Sequence, residues 1–150
     1  MGAANQSSLS SRELLFIDTS GWCEPVLRNT SQHAAMDEFA HALLTSTRPL
    51  ITTNYVLSEV VPLLTSRAKH MSRAQIMQFA KQVRETPTLQ IVHIDEATDL
   101  EAWALLERTL DKGWSLIDAT SFIIMRQMSV TEAFTSDHHF AQAGFIRLPM

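Results

Sequence analysis

The sequence predicts a three-layer α/β/α fold around a mostly parallel central sheet. Three observations carry that prediction. Short apolar runs alternate with longer segments of helical period along almost the whole chain, the pattern of strands joined by crossover helices. No internal repeat or low-complexity linker interrupts the alternation. The length of 150 residues suits one domain with a sizeable core.

Residues 1–12 are polar and small and read as a disordered tail, ahead of a single domain over residues 13–150. The run LLFI predicts a strand at residues 14–17, because it is short, continuous and apolar. A helix over 30–45 should follow, then a strand at 50–52. A helix over 54–69 comes next, and Pro62 should kink it. Ser72 is a suitable N-cap for a helix over 72–85, which Pro87 closes ahead of a strand at 89–94. Asp95 can cap a helix over 96–111. Its Leu100, Trp103, Ala104, Leu106 and Leu110 recur at helical spacing, and Lys112-Gly113 should end it. The segment WSLIDATSFIIM predicts a helix over 115–128 that is apolar almost all round, as a buried helix is. Strands at 131–135 and 145–148 complete the pattern.

Composition excludes several classes. The net charge is −4, whereas a protein that grips long stretches of nucleic acid is usually basic; any such contact must be local. One cysteine, Cys23, rules out an internal disulfide framework. No apolar run is long enough to span a bilayer and no signal peptide is visible, so a cytoplasmic protein without a membrane partner is expected.

Four acids stand in unusual places. Asp18 ends the first strand, with Thr19 and Ser20 directly after it. Asp137 follows the fourth strand, with Thr135 and Ser136 before it. In open α/β sheets ligands bind beyond the carboxyl ends of the strands. Glu59 and Asp118 lie inside apolar helical segments, where carboxylates are rare unless paired or bound to metal. Each acid has a plainer explanation. Asp18 could cap a helix beginning near Gly21, and Asp118 could form a capping box with Ser115. Glu59 could pair with Arg126, and Asp137 could cap the segment 138–143. The set taken together favours one pocket. Two unpaired carboxylates about 4 Å apart repel by roughly 4 kcal/mol at an effective dielectric near 20, so such a cluster needs protons or cations. All-oxygen ligation suits a hard ion, Mg2+ or Mn2+.

The motifs IDTSGW, TTNYVLSEV, SLIDATSF and TSDHHF, in this order and spacing, resemble the PIN domain, and most of all the VapC-type ribonuclease toxins. The resemblance runs from about residue 14 to the end. It implies a metal-dependent endoribonuclease using magnesium or manganese, usually a homodimer, neutralised by a small antitoxin partner. It maps the catalytic, metal-holding acids to Asp18, Glu59, Asp118 and Asp137, with Thr135 as a hydroxyl companion. Thr19 and Ser20 are then expected to orient Asp18 or a bound water.

Other signals point elsewhere or nowhere. His138-His139 after Asp137 resembles the Asp-His-His motif of manganese phosphoesterases, but that class needs further amino-terminal aspartates and only Asp18 stands there. One of these histidines should face solvent and the other approach a substrate phosphate. Basic residues that could guide RNA are Arg28, Arg48, Arg67, Lys69, Arg73 and Arg126, with the stretch 67–73 the best placed; Arg67, Arg73 and His138 are the RNA-contact candidates. Trp22, Trp103 and Trp114 could stack bases, although burial is the commoner fate of tryptophan. A binding module that keeps the acids without cutting is the alternative from another class.

Overall fold

The computed structural model describes residues 14–28 and 30–150; the expected tail at 1–12 lies outside them. The elements, in chain order, are β1 (Leu15–Ile17), α1 (Thr19–Cys23), a 3-10 turn (Glu24–Val26), α2 (His33–Leu44), β2 (Leu50–Thr53), α3 (Asn54–Arg67), α4 (Arg73–Arg84), β3 (Leu89–Val92), α5 (Glu96–Arg108), α6 (Leu116–Gln127), β4 (Glu132–Phe134), α7 (His139–Gln142) and β5 (Ile146–Leu148). All five strands are parallel, in the order β3-β2-β1-β4-β5.

β1 is central. Leu15 pairs with Leu50 on one side and with Glu132 on the other. The chain builds outward through β2 and β3, then returns across β1 to lay down β4 and β5. The strand order therefore reverses between β1 and β4, the position at which an open α/β sheet forms its ligand crevice.

Side chains alternate across the sheet. Phe16 packs with Phe122 and Met125 of α6 and with Phe140 of α7. Leu15 and Ile17 pack on the other face with Met36 of α2. Helices cover both faces, so all three residues of β1 are buried. A further cluster of Cys23, Leu27, Val60, Leu64 and Ile76 ties α1 to α3 and α4.

The caps explain most boundaries. Thr53 accepts from the Val56 amide, Ser72 forms a capping box with Gln75, and Asp95 accepts from the Thr98 amide. α3 runs as one helix through Pro62, which is exposed. Two expectations about α5 need correction. α5 stops at Arg108, well before Lys112-Gly113, because the backbone leaves helical angles at Thr109, whose hydroxyl turns back to the Leu105 carbonyl at 2.8 Å. Its buried face is Thr98, Ala102 and Leu105, whereas Leu100 is 59% and Trp103 49% exposed. The helix expected near Gly21 with Asp18 before it is α1, which starts at Thr19; the missed element is the 3-10 turn, too short for a periodic signal.

Candidate active site

β1 delivers Asp18 to the middle of the carboxyl edge of the sheet, and β4 delivers Thr135, Ser136 and Asp137 beside it. The Asp18 amide donates to the Phe134 carbonyl at 3.2 Å, so the two strand ends are joined by backbone. Gly21 makes this approach possible. A Cβ there would collide with the Phe134 carbonyl oxygen and lie 2.9 Å from Phe134 Cδ1.

Hydroxyl groups connect the acids. Thr135 Oγ1 donates to Asp18 Oδ2 at 3.0 Å and accepts from the Asp137 amide at 3.0 Å. Ser20 Oγ lies 3.0 Å from Thr135 Oγ1, donates to Asp18 Oδ2 at 3.4 Å and accepts from the Ser136 amide at 2.9 Å. Thr19 Oγ1 donates to Glu59 Oε2 at 3.1 Å. Glu59 is exposed rather than turned to the core, and it stands at the rim. Its partner is Thr19; Arg126 instead donates to the Ala143 carbonyl at 3.3 Å and lies over the Phe145 ring.

Asp18 occupies the N-cap position of α1, yet its side chain makes no capping bond. Asp118 does cap: its Oδ2 accepts from the Ser115 amide at 3.0 Å while Ser115 Oγ accepts from the Asp118 amide at 3.0 Å. The same Oδ2 lies 3.0 Å from His139 Nδ1. That nitrogen is also 3.3 Å from Asp137 Oδ1, and the His139 amide donates to the same oxygen at 2.9 Å. His139 thus bridges two of the acids, a role the sequence reading missed. The available signal was its place two residues after Asp137, opening α7. The solvent-facing histidine is His138, whose side chain is 69% exposed. Asp137, His138 and His139 also bring one ligand atom each within 4.8 Å of one another.

The electrostatics follow from burial. Asp18 is pushed up to about 7, chiefly by desolvation; the Thr19 amide and the Thr135 hydroxyl oppose the rise, and the charges of Asp118 and Asp137 add to it. Two neighbouring carboxylates therefore act on Asp18 at the switch point. Carboxylates are donors that suit a hard divalent cation; the acids brought to this edge are Asp18, Asp118 and Asp137, with His139 between two of them and Glu59 tied in through Thr19.

Of the RNA-contact candidates, Arg73 donates to Thr65 at 3.3 Å, and Arg67 stands at the far end of α3 from the sheet edge. Arg48 is paired with Glu132 at 3.0 Å. Trp103 is surface rather than core.

A parallel sheet with buried acids at its reversal point suits metal-assisted phosphodiester hydrolysis. The match to the PIN domain over residues 15–146 makes that specific: the chain belongs to the PIN-domain family. A curated relative, the 23S rRNA-specific endonuclease VapC20 of Mycobacterium tuberculosis, is 31% identical over 136 residues, covering 90% of this chain and 98% of the relative. The crystal structure of VapC20, described as a Sarcin-Ricin loop cleaving toxin, matches with a TM-score of 0.76 at 26% identity, over 88% of this chain and 96% of that one. FitAcB from Neisseria gonorrhoeae matches with a TM-score of 0.60 at 14% identity, over 89% of this chain and 95% of that one, which is a likeness of fold alone.

Proposed function

We propose that this chain is a divalent-metal-dependent endoribonuclease and the toxin of a type II toxin–antitoxin pair. One observation carries the reading: Asp18 is buried within electrostatic reach of Asp118 and Asp137 at the reversal point of a PIN-domain sheet. Such an arrangement is unstable without a proton or a cation, and hydrolysis by a cation-activated water needs no side-chain nucleophile.

The reaction is hydrolysis. A water oxygen bonds to phosphorus, the bond from phosphorus to the 3′-oxygen breaks, and the products carry a 3′-hydroxyl and a 5′-phosphate. Asp18, Asp118, Asp137 and Glu59 would hold magnesium or manganese, which supplies charge neutralisation of the phosphate and a lowered water pKa. The rest is done by the chain. Thr135 and Ser20 fix the Asp18 carboxylate, Thr19 turns Glu59 toward the site, and His139 sets the spacing of Asp118 and Asp137.

The relative's name makes 23S ribosomal RNA the first substrate to test, and a protein with a ribosomal target would work in the cytoplasm. No helix among the described residues is long and apolar enough to cross a membrane. A cognate antitoxin is the expected protein partner. A homodimer would bury Leu100 and Trp103, which α5 presents to solvent one turn apart.

The test is cleavage of purified ribosomal RNA and tRNA with manganese, with magnesium and with chelator, beside Asp18→Asn prepared identically. Cutting that needs metal and vanishes in the variant is expected. Equal cutting by both proteins would overturn the assignment of Asp18.

A further inference from the structure

A cleft of about 540 Å³ is lined by Arg28, Arg67, Lys69 and His70, together with Leu27 and Thr30. No carboxylate lines it. On a chain of net charge −4 it is a local reversal of sign. Its four basic residues are exposed, and none forms a side-chain ion pair with a described residue. The Thr30 hydroxyl in the same wall is buried and has no hydrogen-bond partner among the described residues. Buried donors are rarely left so.

The cleft is firmly built, and α3 links it to the acidic rim. Leu27 shares one core cluster with Cys23, Val60 and Leu64, which holds the chain after α1 against α3. Arg67 ends the helix that carries Glu59 eight residues earlier, a rise of about 12 Å.

An acid-lined centre repels the polyanion it must bind. Affinity for RNA has to come from cations outside it, and this is where unpaired cations gather. Guanidinium forks and an ammonium group match phosphate oxygens in geometry and charge. We propose that the cleft formed by Arg28, Arg67, Lys69 and His70 is a phosphate subsite, which holds the RNA backbone a short distance from the scissile bond without reading sequence. This rests on the ribonuclease reading of the acidic site. An acidic protein segment would meet the same charge, but nothing would require it to lie beside the acids.

The test is binding of total ribosomal RNA by Asp18→Asn protein across a salt series, with and without the added pair Arg67→Ala and Lys69→Ala. Loss of two phosphate contacts should make the slope of log K against log salt shallower by about 1.4 to 1.8. Affinity should fall on the order of 10-fold, evenly across RNA sequences. The conservative pair Arg67→Lys and Lys69→Arg should keep the slope. If the alanine pair lowers the melting temperature, Arg28→Gln with His70→Asn reads the same slope without altering α3. An unchanged slope overturns the subsite, and if wild-type protein still cuts RNA with metal, the ribonuclease reading survives that failure. Wild-type protein that neither cuts nor binds RNA would sink both.

Discussion

Thr135 donates its hydroxyl to Asp18 Oδ2 at 3.0 Å across 117 residues of sequence. The contact exists because β4 pairs with β1 in register, Ile17 opposite Phe134. Thr135 is then the first residue past its strand and Asp18 the first past the other. Because Thr135 also accepts from the Asp137 amide, one hydroxyl fixes both the buried acid and the turn carrying the next. We expect Thr135→Val to lower cleavage by about 10- to 100-fold, the usual cost of removing a group that orients a metal ligand. Thr135→Ser should recover most of it. Equal activity of the Val and Ser variants would sink this role.

Asp18 should give the metal-free protein a definite pH dependence. Its carboxyl sits near 7 when folded, raised by burial and then by Asp118 and Asp137, against an ordinary value of 3.8. The protonated form thus stabilises the fold fully below about pH 3.8, and that contribution is lost as pH rises to about 7. Asp18→Asn has no such proton to lose. Its melting temperature minus that of wild type should grow between pH 4 and 7, then level, with a free-energy difference on the order of a few kcal/mol. A flat difference, or an Asn variant that melts far below wild type at pH 7, would make Asp18 structural.

His139 Nδ1 stands against the oxygens a cation would use, 3.0 Å from Asp118 and 3.3 Å from Asp137. The imidazole thus holds the two acids at their spacing in metal-free protein. His139→Ala should therefore melt lower without metal, by about 2–4 °C per kcal/mol lost, and should gain more from added manganese than wild type does. Asp118→Asn keeps a side-chain oxygen for the Ser115 cap, so it should hold the fold and lose the metal-induced shift. A full shift in Asp118→Asn would remove Asp118 from the metal set.

Gly21 is a packing requirement of the site. With Ile17 Cγ2 only 3.0 Å and Phe134 Cδ1 2.9 Å from the Cβ that alanine would add, α1 must lift from β4. Gly21→Ala should destabilise by about 1–3 kcal/mol and reduce cleavage as well, because Asp18 and Ser20 flank the displaced segment. Thermal melting and the ribosomal RNA assay together check this. Wild-type values in both would mean that the strand ends part without consequence.

Sequence alone determined what depends on near neighbours. The LLFI run, the Ser72 and Asp95 caps and the continuous apolarity of α6 each state their local structure through propensity, capping and period. The four ordered motifs pointed to the acids for the same reason, since each motif is a local segment. Period could not say which side of α5 faces a neighbour; Leu100 and Trp103 lie outward because α6 packs on Ala102 and Leu105. Nor could it show that Glu59 is at the rim, that His139 bridges two acids, or that Arg28 joins Arg67, Lys69 and His70 in one cleft. Those facts follow from strand order. Pairing β1 with both β2 and β4 is a choice among long-range partners, made by burying Phe16, Ile51 and Ala133 in one shared core. No short window of sequence contains that choice.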